Sequence, residues 1–186
     1  ERGGYVYIQT GKDAKKSSFY ANLDPKTAQE ERLILTSGAN NATFSPDNNT
    51  VVFSVRSELW KVPVKKGKGP NANDAEQLTD YPGIDEAPIY APDGKSVFFV
   101  SDREGAQRLY RLNLETKAVT PVSSDNVDHS QLTLSPDKKY LMFFKSGKDK
   151  GIYRVPVAGG TVELVAKTYY GGEFAVSPDG RWIAFS

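Results

Sequence analysis

The 186-residue sequence predicts an all-β fold assembled from repeated four-stranded units, and three observations carry that expectation. A tight turn recurs four times: Ser45-Pro46-Asp47-Asn48, Ala91-Pro92-Asp93-Gly94, Ser135-Pro136-Asp137-Lys138 and Ser177-Pro178-Asp179-Gly180. Each copy runs into an apolar stretch: Val51-Val52-Phe53, Val97-Phe98-Phe99-Val100, Leu141-Met142-Phe143-Phe144 and Trp182-Ile183-Ala184-Phe185. The interval between turns, 42–46 residues, leaves room for three further short strands each time. Four short strands in a repeat of about 40–50 residues describe the blade of a β-propeller.

The turn chemistry explains why the motif recurs. Proline presets φ at the second position of a type I turn, and aspartate suits the third. The residue after them closes a three-residue hairpin loop in the left-handed conformation, which glycine and asparagine adopt most readily. Asn48, Gly94, Lys138 and Gly180 therefore all carry positive φ in this reading, Lys138 against the resistance of its side chain. The four aspartates, Asp47, Asp93, Asp137 and Asp179, read as acceptors for nearby backbone N–H groups rather than as reacting groups.

Within each repeat the turn joins a first strand (Ala42-Thr43-Phe44, Pro88-Ile89-Tyr90, Leu132-Thr133-Leu134, Phe174-Ala175-Val176) to the apolar second strand. Near-continuous apolar runs indicate second strands covered on both faces, as stacked blades require. The third strand is Leu59-Trp60-Lys61-Val62-Pro63-Val64, Leu109-Tyr110-Arg111-Leu112-Asn113-Leu114 or Ile152-Tyr153-Arg154-Val155-Pro156-Val157, always an aromatic followed by a base. Trp60, Tyr110 and Tyr153 read as packing between neighbouring blades, because they recur in equivalent places. The fourth strand is Glu76-Gln77-Leu78-Thr79, Val119-Thr120-Pro121-Val122 or Val162-Glu163-Leu164-Val165. Residues 5–10, 18–23 and 32–35 read as second, third and fourth strands of a preceding blade. The chain thus divides into blades at 38–82, 83–124 and 125–168, with partial blades at 1–37 and 169–186, an excerpt of a larger ring. Two stretches depart from the pattern. Residues 65–75 form a surface loop rich in lysine, glycine and asparagine, and 24–31 carry helix-start chemistry for a turn or two.

Composition narrows the function. The chain has 24 basic and 23 acidic side chains and a net charge of +1, without the positive excess that nucleic acid or anionic membrane binding draws on. No apolar run approaches the ~18–20 residues of a membrane-spanning helix, and no signal peptide is visible at Glu1. The absence of cysteine excludes disulfides, thiolate nucleophiles and zinc–cysteine sites. His129 is the single histidine, so no histidine-pair metal site can be built. Asp128-His129-Ser130 holds the atom types of a triad, but adjacent strand residues point to opposite faces. Asp125 and Asp128 lack calcium-loop spacing. Gly94-Lys95-Ser96 lacks the earlier glycine of a phosphate loop, and no Gly-x-Ser-x-Gly elbow occurs. Asn41-Ala42-Thr43 and Asn48-Asn49-Thr50 match the glycosylation pattern, which has meaning only in a eukaryotic secretory pathway. The expectation is no catalytic residue, no metal and no cofactor.

Residues 92–110 give the unit Pro-Asp-Gly, apolar strand, Ser-Asp-Arg-x-Gly, x-Leu-Tyr, preceded by Leu78-Thr79-Asp80-Tyr81-Pro82-Gly83-Ile84-Asp85. This resembles the WD-like propeller repeats of the Tol-system protein TolB and of the tricorn protease, over nearly the whole chain. Glu58-Leu59-Trp60-Lys61-Val62-Pro63-Val64 is similar to the blades of tricorn-like peptidases. The resemblance implies a non-catalytic propeller segment of a periplasmic or secreted bacterial peptidase, admitting or docking peptides. It carries no catalytic residue onto this sequence. The alternatives are a TolB-like envelope scaffold that binds protein partners and, less favoured, a hydrolase with its site in the propeller channel. Partners are expected to be peptides, proteins and the remaining blades or domains of the parent.

Overall fold

The computed structural model describes residues 39–64, 74–123, 132–145, 148–168 and 173–185, and the backbone of four strands before them. Those early strands are β1 (Val6–Thr10), β2 (Asp13–Ser17), β3 (Phe19–Asn22) and β4 (Arg32–Leu35). β1 pairs with β2 and β3 with β4, both antiparallel. Here the structure corrects the sequence reading: a strand over Asp13–Ser17 precedes the expected one at 18–23. Its polar Asp-Ala-Lys-Lys-Ser sequence carries no apolar alternation to announce it. The expected helix start at 24–31, most of the 65–75 loop, and Asp125, Asp128, His129 and Ser130 lie outside the described residues.

Three four-stranded antiparallel sheets follow. The first contains β5 (Asn40–Phe44), β6 (Thr50–Val55), β7 (Glu58–Pro63) and β8 (Glu76–Gln77). The second contains β9 (Asp85–Tyr90), β10 (Ser96–Ser101), β11 (Arg108–Asn113) and β12 (Val119–Pro121). The third contains β13 (Leu132–Leu134), β14 (Tyr140–Lys145), β15 (Gly151–Pro156) and β16 (Glu163–Lys167). A pair, β17 (Phe174–Val176) and β18 (Ile183–Phe185), comes last. Strand order in every sheet is the order along the chain, and each connection is a hairpin. This is a partial ring of β-propeller blades.

The Pro-Asp turns behave alike. Asn48 donates to the Ser45 carbonyl, Gly94 to Ala91, Lys138 to Ser135 and Gly180 to Ser177, at 2.8–3.0 Å. Their φ angles are 57°, 66°, 59° and 71°, all left-handed. In three copies the serine hydroxyl donates to the turn aspartate at 2.6 Å (Ser45 to Asp47, Ser135 to Asp137, Ser177 to Asp179). The second copy has Ala91 instead, fully buried.

The blades hold together through alternation along the second strand. β10 is buried at all six positions. Val97 and Phe99 pack with Tyr110 and Leu112 against Val52, Leu59 and Leu78 of the blade before. Phe98, Val100 and Leu109 pack against Leu141, Phe143 and Val155 of the blade after. Met142, Phe144 and Ile152 then meet Phe174, with Val176 and Ile183 alongside. Val97 and Phe99 thus occupy the places held by Val51 and Phe53 in the first blade and by Leu141 and Phe143 in the third. Each phenylalanine of that set stands directly opposite the third-strand aromatic: Phe53 to Trp60, Phe99 to Tyr110, Phe143 to Tyr153. Tyr110 and Tyr153 therefore sit between blades, while Trp60 lies on the first blade's other face, with Val51, Phe53 and Val55.

The first strands carry a second repeated device. Asn41 and Ala87, each five residues before a turn proline, have φ of 52° and 51°. The ladder register breaks beside both, so the strands bulge there. In β9 the following Pro88 has no N–H to offer the ladder, which suits a break at that point.

Candidate functional site

Hairpin alternation places the Pro-Asp turns and the third-to-fourth strand connections at one end of every blade. The second-to-third connections and the links to the next blade gather at the other. Polar side chains concentrate at both ends between the first and second blades.

At the end opposite the turns, Asp85 opens β9 fully buried, and Arg103 reaches it from the β10–β11 connection. One guanidinium nitrogen lies 2.9 Å from both Asp85 oxygens, and Nε donates to the Ser101 hydroxyl at 3.0 Å. The guanidinium carbon also stands 5.0–5.2 Å from the ring centres of Tyr81, Phe99 and Tyr110. A cation over three aromatic faces is held by their quadrupoles as well as by its counter-ion. The backbone N–H of Asp85 donates to the Ser57 carbonyl in the blade before, and that of Ile84 to Asp102. Gly83 closes the same corner: a Cβ there would lie 2.3 Å from an Asp102 oxygen.

Glu58 adjoins this cluster. It accepts from the Thr79 hydroxyl at 2.8 Å and from the Tyr81 N–H at 3.1 Å. Burial pushes its carboxyl above the ordinary glutamate value, and the negative charges of Asp85 and Asp80 add to that, while the two hydrogen bonds oppose it. A raised carboxyl in a polar cluster draws notice as a general acid. Both oxygens are engaged, however, and Asp85 is neutralised by Arg103. The arrangement links the first two blades, with the Asp85 N–H donating to the Ser57 carbonyl. Among the described residues no group of three or more histidine, aspartate or glutamate side chains is set to hold a metal ion. No described helix is long and apolar enough to cross a membrane.

At the turn end, Asp47, Asp137 and Asp179 are held below the usual aspartate value, first by the hydroxyls of Ser45, Ser135 and Ser177 and then by backbone N–H groups. A depressed carboxyl adds stability that is complete above its unfolded value and is lost as pH falls through the folded one. Glu58 has the opposite sign, since acidification relieves its burial between its raised value and the ordinary one. Urea midpoints measured from pH 7 downward are expected to gain slightly first, then fall below the ordinary aspartate range. Changing Asp47, Asp137 and Asp179 together to asparagine should flatten that fall; an unchanged acid limb would show that the turns play no part in it.

Pro46 of the first turn approaches Gly94 of the second, 3.5 Å from the place a Gly94 Cβ would take. Beneath them runs a groove of about 530 Å³, lined by both turns, Thr50, Lys61, Tyr90, Leu114 and Glu115. The Thr50 and Tyr90 hydroxyls meet at 2.6 Å in its floor. At its outer side Glu76 takes Lys61 at 2.6 Å and Lys117 of the next blade. Burial works to raise the Glu76 carboxyl, but the two lysines outweigh it and hold the group low.

The turn residues thus stand at one end, one set per blade, and the structure does not gather them into a single pocket. Sequence reasoning missed the Asp85–Arg103 pair. Ser101-Asp102-Arg103 and Ile84-Asp85 were visible only as phrases of a repeat, and nothing in their 18-residue separation announces contact.

A family model described as TolB beta propeller domain matches residues 10–186. The chain belongs to that family. The uncharacterized peptidase YuxL of Bacillus subtilis is 27% identical over 194 residues, spanning 97% of this chain and 27% of the relative. The Tol-Pal system protein TolB of Bordetella pertussis is 40% identical over 52 residues, 28% of this chain and 11% of that protein. Among solved structures, TolB from Acinetobacter baumannii matches with a TM-score of 0.65 at 23% identity, over 84% of this chain and 40% of that one. A puromycin hydrolase matches at 0.62 and 18%, over 79% and 25%. Those two structures share the fold. This TolB-type propeller chain spans about a quarter of the length of its peptidase relative.

Proposed function

We propose that this chain is a non-catalytic run of propeller blades in a larger, extracytoplasmic bacterial peptidase, where it admits or docks peptides. The observation that carries the reading is the peptidase alignment, which extends over 97% of the chain, against 28% for the Bordetella TolB. The polar clusters support it, because their charged groups are spent on one another. Fold alone does not decide function. A second reading, a TolB-like envelope scaffold whose mouth takes a partner's extended segment, draws on the 40% identity of the shorter match.

The test compares the whole protein with a version lacking residues 1–186, on a chromogenic dipeptide and on casein. The expected result is dipeptide cleavage by both and casein cleavage enhanced once the blades are gone. A whole protein without peptidase activity, or one with the same selectivity in both forms, would contradict the reading.

A further inference from the structure

We infer that the groove between the first two blades at the turn end docks an extended peptide segment carrying an arginine or lysine between apolar side chains. The inference rests on the peptide-handling reading above and names the chemistry of the occupant. A volume of about 530 Å³ lies within the usual range of ligand sites. Pro46, Tyr90 and Leu114 supply apolar wall, and the two turns enclose one end.

The four equivalent turns differ in charge. Asp93 is paired with Arg111 at 2.8 Å, Asp179 with Arg181 at 2.7 Å and Asp137 with Lys139 at 4.0 Å. Asp47 differs. Among the described residues no cation pairs with it, and its oxygens take the Ser45 hydroxyl, the Asn49 backbone N–H and the Asn49 side-chain amide. Asn49 stands where Lys139 and Arg181 supply the cation to the third and fourth turns, and the third-strand base that could replace them is Lys61. It holds in β7 the place that Arg111 holds in β11, but its ammonium is drawn outward to Glu76. Among the described residues the first-blade carboxylate on the groove wall therefore lacks the cation that Arg111 supplies in the second. An incoming arginine takes at Asp47 the position that Arg111 takes at Asp93, and its apolar neighbours lie against Pro46, Tyr90 and Leu114. Lys95 opposes such a cation and Glu115 offsets Lys95, both from the second-blade wall. Asp47 is exposed to solvent, so the preference is modest.

The experiment titrates the full chain with a capped Ser-Leu-Arg-Leu-Ser peptide and with its citrulline analogue, followed by calorimetry or by backbone amide shifts. The arginine peptide is expected to bind about three- to five-fold more tightly. Asp47→Asn, which keeps an acceptor in the turn, should erase that preference. Lys61→Arg combined with Glu76→Gln should weaken binding of both peptides, because a guanidinium no longer held by Glu76 can reach Asp47 as Arg111 reaches Asp93. Thermal melts establish that each variant is folded, and either variant alone carries the test. Equal affinity for the two peptides, no binding, or a preference that survives Asp47→Asn would overturn the inference. None of those results touches the peptidase reading, which is decided by hydrolysis in the whole protein.

Discussion

Asp85→Ala is expected to lower the unfolding free energy by about 3–5 kcal/mol, because it strands a guanidinium that is largely withdrawn from water. Asp85 is 0% exposed and the Arg103 side chain 21% exposed, so solvent does little to rescue the survivor. The lost carboxylate also frees the cation resting on Tyr81, Phe99 and Tyr110. Urea unfolding of the chain measures the effect. A double replacement, Asp85→Leu with Arg103→Met, should restore much of the loss, since an apolar pair leaves no orphan charge. A cost below about 1 kcal/mol for Asp85→Ala, the scale of an exposed ion pair, would show that the pair is not a buried anchor of the second blade.

The second large effect is at Phe99, where alanine should cost about 3–5 kcal/mol through lost burial and an unfilled cavity. Phe99 is fully buried between blades, 5.9 Å from the Tyr110 ring. Phe185 holds the same place after its own turn and is 49% exposed. Phe185→Ala in the same chain should therefore cost well under half as much, because much of its surface stays in water. Equal costs at the two positions would refute blade-on-blade stacking as the source of stability.

Much of this fold was legible because its local chemistry repeats. Four Pro-Asp turns, each needing a left-handed residue next, fixed the hairpins. The apolar runs after them marked strands buried on both faces, and β6, β10 and β14 are so buried. What escaped was whatever lacks a local signal. β2 is four polar residues and one alanine, and it pairs with β1. The bulges at Asn41 and Ala87 come from the geometry of the first strand; alanine gives no sign of positive φ, and asparagine, which adopts it readily, does so at turns more than within strands. The Asp85–Arg103 pair forms because two connections at one end of the blade converge, a fact of topology. The groove at Asp47 was hidden for another reason. Lys61, Arg111 and Arg154 read as one repeated basic position, but Lys61 and Arg154 pair with the fourth-strand acids Glu76 and Glu163 while Arg111 turns to Asp93.

The exposed apolar residues follow from the same stacking. Trp182 is 73% exposed beside Phe185, while the equivalent stretch of the inner blades is covered. Uncovered strand faces of that kind favour association in solution.

We propose that these blades bind and position peptides and carry no reaction of their own. The direct measurement is hydrolysis of a peptide and ester panel by the purified 186-residue chain, with His129→Ala alongside. No turnover above the uncatalysed rate is expected from either protein. Turnover by the chain that disappears in His129→Ala would contradict it and place a reaction within the propeller.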